Sequence, residues 1–362
     1  MGNQKSTYRW YNSQKSDFQN VLAINHDNSV LVVGIREEIQ IFKILHYKEY
    51  NVENLTEEEE EELYASEGKA LTKLLIYDGI IGQVTTLQFL KSEKHANFFL
   101  SGSEHLINIW APDDQSTPKR WESKFKIEWT RSQINCVVIH PNEDLIISGD
   151  NENVKFWQLQ DQYVCKQIIN EHKVPIYGLS ISPDGKKLIS IGADKNLILM
   201  TGLEKETWQV LQKIQFTEQL LRICFITNQI FTLQSSKSST GSKHLQIFKM
   251  DLNEKFQIAK NISLQGKGQL DIGDCQPIYV PSKQILMIKS GFSINIIRFI
   301  LYNPQFKGLD GEFNVQLEQQ IDFGHDWVFG TISHDGQFLI TWDTKSHKTQ
   351  IKKYYQKMDQ QI

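Results

Sequence analysis

The chain has 362 residues, 40% of them hydrophobic and 23% charged, with a formal net charge of -4 at pH 7. That is enough length and apolar content for a sizeable core, and the slightly acidic balance argues against a nucleic-acid binder driven by bulk positive charge. No run of about 18 apolar residues predicts a membrane-spanning helix, and no apolar segment of a secretory signal follows the polar start. Cys136, Cys165, Cys224 and Cys275 form no Cys-x-x-Cys pair. Free thiols in a reducing cytoplasm are therefore expected.

The first residues, "MGNQKS", match the Met-Gly-x-x-x-Ser pattern for myristoylation at Gly2. One such chain gives only reversible membrane binding. The match predicts reversible membrane contact through Gly2, and chance composition is the competing explanation. Residues 1–5 are expected to be flexible. "STYRWYN" (6–12) alternates and is rich in aromatic residues, as a strand does.

From there the chain repeats itself. "VLAINHDNSVLVVGIREEIQIFKI" (21–44) holds three short strands separated by polar turns. An insertion at 52–69 follows, containing "LTEEEEEELYASEGK"; Thr56 and Glu59 form a capping box and Gly68 ends the segment, so a short acidic helix is predicted. It is either a solvated excursion or a docking element for a basic partner. The pattern returns in "VTTLQFLKSEKHANFFLSGSEHLINIW" (84–110). It is plainest in "INCVVIHPNEDLIISGDNENVKFWQL" (134–159) and "IYGLSISPDGKKLISIGADKNLILMT" (176–201), which align without a gap. Residues 221–250, 277–300 and 328–355 give three more copies. Among them, "TLQSSKSSTGSKHLQ" (232–246) is predicted to be a mobile Ser-rich turn. Each copy is followed by another alternating run, such as "FKIEWT", "YVCKQII" or "WQVLQKI", so each unit has four strands. A four-stranded unit repeating every 40–45 residues or so is the signature of a propeller blade.

"SGS...INIW" and "SGD...VKFW", with Trp110 and Trp157, give the chain its resemblance to the WD40-repeat β-propellers, and the likeness extends over essentially the whole length. Glu171-His172 and Gly324-His325 stand where that family has its Gly-His pair. The sequence departs from the pattern in several places. Ala111 and Gln158 follow the tryptophans in place of Asp, Met200, Phe248 and Ile297 replace later tryptophans, and Trp342-Asp343 falls at the end of a second strand. The resemblance implies an all-β fold: a seven-bladed propeller of four-stranded antiparallel blades, forming a single domain over 6–362. The last unit lacks an outer strand. "STYRWYN" is expected to supply it and so remove an open seam. The resemblance also implies a buried chain of His, Ser or Thr, Asp and Trp in each blade. Here the fourth unit keeps His172, Ser190 and Asp194 but has Met200 in place of the Trp. The second and third units keep Trp110 and Trp157 but lose the His, and His325 marks the last unit.

Signatures of catalysis are missing: there is no Gly-rich phosphate loop, His-Glu-x-x-His or Gly-x-Ser-x-Gly. No catalytic residue, cofactor or metal is predicted. Propellers of the resembled family bind partners at the loops leading into the inner strands. There the candidate partner-binding residues are Trp129, Arg131, Tyr177, Arg222, Trp327 and Phe329, since aromatic and Arg side chains dominate interface energies. Blade packing is the competing role for each. The expected function is a non-enzymatic scaffold, monomeric within a hetero-complex of other proteins and without nucleic acid. The alternatives are a membrane-tethered scaffold, or a subunit of a ubiquitin-ligase, ciliary or cytosolic iron–sulfur assembly complex.

Overall fold

The computed structural model describes residues 7–15, 21–44, 71–77, 82–95, 97–113, 115–116, 120–128, 132–202, 207–237, 241–267, 275–301 and 313–355. Among them lie seven four-stranded antiparallel sheets. We number these as blades 1 to 7, with strands a to d running from the centre outwards. Blade 1 spans 21–77, blade 2 86–128, blade 3 136–169, blade 4 176–215, blade 5 219–263, blade 6 278–322 and blade 7 328–355. The outer strand of blade 7 is Thr7–Lys15, which pairs antiparallel with Lys348–Tyr355 from Thr7↔Tyr355 to Lys15↔Lys348. The expected closure by the N-terminal strand is therefore present.

Burial explains why strands b and c read as continuous apolar runs while strand d alternates. A propeller blade is covered on both faces by its neighbours, so both sides of its middle strands must be apolar. In blade 4, Leu188, Ile198 and Met200 pack towards blade 3. Ile189, Ile191, Leu197 and Leu199 pack towards blade 5. Seven such clusters occur, one at each blade interface. On the outer edge, Tyr163–Ile169 alternates exposed and half-buried positions. The Pro-Asp-Gly turn of blade 4 needs its glycine, because Gly185 has a φ of +73° and a Cβ there would meet the His140 ring of blade 3.

The Ser-rich stretch is a correction to the sequence reading. Strands Ile230–Lys237 and Gly241–Met250 run through most of it, with Ser235 opposite His244 and Lys237 opposite Gly241. Ser235 donates to Glu218 Oε2 at 2.6 Å, so the hydroxyl serves a packed strand end. The acidic insertion at 52–69 lies outside the described residues.

A second tie between blades was not foreseen. On strand d of blade 3, the Gln167 amide donates to Trp208 O (2.7 Å) and accepts from Trp208 N–H (2.8 Å), both on strand d of blade 4. Gln212 does the same to Phe256 of blade 5 at 3.3 and 3.0 Å. Gln319 does it to Tyr8 of blade 7 at 2.9 and 2.7 Å. At the same register position in blade 5, Lys260 Nζ donates to Phe313 O at 2.6 Å. Tyr77 holds the Trp121 backbone from blade 1, accepting its N–H and donating to its carbonyl. A primary amide offers one donor and one acceptor side by side, which matches the N–H and C=O of one residue on a strand. Gln212→Ala should lower the unfolding free energy by about 1–2 kcal/mol, because two part-buried backbone groups lose their partner. Urea denaturation measures this, and a shift within error of zero would show that the clamp is solvated.

Candidate functional site

Strand a of every blade faces the axis, and together these strands line a cavity of about 530 Å³. At one end are the a–b turns. At the other are the d–a loops, where a second cavity of about 300 Å³ is lined by Thr85, Gln133, Asn135, Tyr177, Gln219, Leu220, Leu221, Arg222, Cys275 and Gln276. This mouth is rich in amides, and blades 2 to 6 all contribute to it. The buried side-chain nitrogen of Asn135 has no hydrogen-bond partner among the described residues. A ligand offering a carbonyl or carboxylate would satisfy it.

The structure separates the six sequence candidates. Tyr177 is 40% exposed and lines the mouth. Trp327, 42% exposed, precedes strand a of blade 7 and so belongs to the same end of the propeller. Arg222 lines the mouth but is only 5% exposed. Its Nε donates to Cys275 O (2.8 Å) and its Nη1 to Gln234 Oε1 (3.2 Å), so the guanidinium joins blade 5 to the entry of blade 6. Phe329 corrects the sequence reading more sharply. It is 4% exposed, pairs with Trp342 across strands a and b, and packs in the core between blades 7 and 1. Its ring is not offered to a partner. Trp129, Arg131 and Gly2 lie outside the described residues.

The blade networks follow the residues that carry them. In blade 4, His172 Nδ1 lies 3.1 Å from both Asp194 oxygens and Nε2 lies 2.8 Å from Ser190 Oγ. Burial holds His172 below the ordinary imidazole range despite Asp194. Met200 takes no part and packs with Trp208 instead. Trp110 Nε1 donates to Ser101 Oγ (2.8 Å) and Trp157 Nε1 to Ser148 Oγ (2.9 Å). In blade 7, His325 Nε2 lies 3.0 Å from Asp343 Oδ1. Blade 3 substitutes a pair that the sequence did not reveal: Lys155 and Asp150, both buried, bonded to each other.

No group of three or more His, Cys, Asp or Glu gathers as a metal site among the described residues. None of the four cysteines is in a disulfide, and burial pushes the Cys224 thiol up to about 12, which makes it a poor nucleophile. No helix among the described residues is long and apolar enough to cross a membrane.

The family described as WD domain, G-beta repeat matches residues 122–158 and 163–199. Each matched stretch starts in the outer strand of one blade and ends in strand c of the next. That stagger is why one outer strand must come from the N-terminal end. The chain is a seven-bladed β-propeller that carries WD40 repeats. Among curated proteins, this WD40 chain is similar to the Drosophila melanogaster "Protein LST8 homolog", 27% identical over 35% of this chain and 38% of that one. It is also similar to the Schizosaccharomyces pombe "Target of rapamycin complex subunit wat1", 22% identical over 46% and 52%. The Bos taurus "Target of rapamycin complex subunit LST8" is 26% identical over 39% and 42%. The WD40 chain thus spans about half or less of the length of these relatives.

Proposed function

We propose that this propeller is a non-enzymatic scaffold subunit of a larger protein complex, and that the complex is of the target-of-rapamycin type. The relatives' names support the class of complex. The single observation that carries the scaffold reading is the d–a mouth. It presents the exposed ring of Tyr177 beside the unpartnered Asn135 side-chain nitrogen, and the exposed ring of Trp327 at the same end of a rigid ring of blades. Rigid aromatic anchors beside unsatisfied polar groups suit a protein partner, because docking desolvates the rings and completes the hydrogen bonds.

The test is quantitative co-purification of the tagged chain from its native cell, comparing wild type with Tyr177→Ala/Trp327→Ala. The expected result is recovery of a large protein assembly with the wild type and at least an approximately tenfold loss with the double variant, since losing two anchors of about 1–2 kcal/mol each weakens binding by about that much or more. Equal recovery of the same partners by both chains would overturn the assignment of this mouth.

A further inference from the structure

At the opposite end of the channel, the first position after strand a's turn residue differs around the ring. Blades 3, 4 and 6 place Pro141, Pro183 and Pro281 there, whereas the adjacent blades 7, 1 and 2 place His334, His26 and Lys91. All six line the same cavity, so at this position one arc of its mouth carries prolines and the other basic side chains. The His26 and His334 rings are 4.5 Å apart. Burial, His26 and Lys91 all hold His334 below the ordinary imidazole range, so the three groups share one electrostatic environment.

The carboxylates nearby are already engaged. Asp335, which faces His334, accepts from Ser333 Oγ (2.7 Å), Gln337 N–H (2.9 Å) and Asn28 Nδ2 (2.9 Å). Asp27 accepts from the Ser29 N–H and hydroxyl at 3.0 and 2.6 Å. Glu143 accepts the backbone N–H groups of Lys91 (2.5 Å) and Ser92 (2.7 Å) and pairs with His95 at 3.0 Å. His140 is turned to Gly185 O at 3.1 Å, and Lys283 Nζ lies over the Tyr354 ring at 4.5 Å. Among the described residues no ion pair involves His26, Lys91 or His334.

We propose that His334, His26 and Lys91 form a binding site for a soluble polyphosphate-class anion at the a–b mouth of the channel. Two imidazoles held this close beside an ammonium repel one another when charged, and a multivalent anion in contact with all three offsets that repulsion. The arc sits at the mouth of a concave channel, and that shape suits a small molecule better than a plane of lipid headgroups. Binding takes up a proton at His334, so affinity rises as pH falls through the imidazole range. This site is independent of the partner-docking mouth at the other end.

The test is calorimetric titration of the full chain with sodium tripolyphosphate at about pH 7.5 and about pH 6, on either side of the imidazole range. Wild type is expected to bind about tenfold more tightly at the lower pH, as one added charge contact allows. His334→Gln should lose that pH dependence, and Lys91→Gln should weaken binding about tenfold at both values. His26→Gln serves as a second imidazole variant, and matching thermal melts confirm that each variant is folded. Equal affinity in wild type and all variants overturns the site. So does the absence of tripolyphosphate binding together with capture by phosphatidylcholine vesicles carrying phosphatidylinositol bisphosphate, which would make it a lipid site instead.

Discussion

Lys155→Met should lower the unfolding free energy by about 3–5 kcal/mol, far more than the loss of a surface ion pair. Lys155 and Asp150 are bonded to each other, and each side chain is only 2% exposed. Asp150 also accepts from Glu152 N–H (2.9 Å) and Asn153 N–H (2.7 Å). Removing the ammonium leaves a carboxylate that has lost most of its water and its counter-charge. The double variant Lys155→Met/Asp150→Asn should recover much of the loss, because the amide oxygen still takes the two backbone bonds without a buried charge. Urea denaturation of the three chains measures this, and a Lys155→Met chain within about 1 kcal/mol of wild type would show that the pair is solvated. The pH dependence has a defined sign. Burial pushes the Asp150 carboxyl up, but the bonds from Glu152 N–H, Lys155 and Asn153 outweigh it and leave the group below the usual carboxylate range. A depressed carboxyl stabilises the fold fully above its unfolded pKa of about 4, and that contribution is lost as pH falls through the folded value. The acid limb of the stability curve should therefore flatten in the double variant.

Tyr8→Ala should cost about 3–5 kcal/mol, the range for truncating a large buried aromatic side chain. Tyr8 packs edge-on to Tyr354 at 5.0 Å, inside the core between blades 6 and 7. Its hydroxyl donates to Gly336 O at 2.6 Å, and its backbone is held by Gln319. Arg298 completes the joint, donating to Tyr354 Oη (2.6 Å), Glu318 Oε2 (2.7 Å) and Lys283 O (2.8 Å). Tyr8→Phe keeps the ring and loses one bond, so its cost should be about 1–2 kcal/mol. Because this strand closes the ring, the Ala variant should also speed hydrogen exchange in blade 7 (328–355) ahead of blade 4. Uniform acceleration around the ring would contradict the view that closure depends on this joint.

The architecture was readable because propeller packing imposes the same demand seven times. Strands buried on both faces must be apolar throughout, so "LIISG" and "KLISIG" announce themselves, and the orphan "STYRWYN" had only one seam to fill. Contacts between blades were harder to read. Gln167 meets Trp208 across 41 residues, Gln212 meets Phe256 across 44, and Gln319 meets Tyr8 across 311, so no fixed spacing marks the clamp. Lys155 is a charged residue on strand c of blade 3, and the Asp150 carboxylate that faces it makes its burial tolerable. At the mouth, residue type alone could not separate Phe329 from Trp327. Trp327 lies before strand a and stays exposed, whereas Phe329, inside the strand, is packed in the core.

The most direct test of the scaffold account is a hydrogen-exchange comparison of the free chain with the chain bound to its co-purified partner. The account predicts protection at the d–a mouth, around residues 133–135, 177, 219–222, 275–276 and 327. The competing surface is the exposed apolar edge formed by Val164 and Ile168 on blade 3 and Val210 and Leu211 on blade 4. Protection confined to Tyr163–Ile169 and Trp208–Gln215, with none at the mouth, would contradict it.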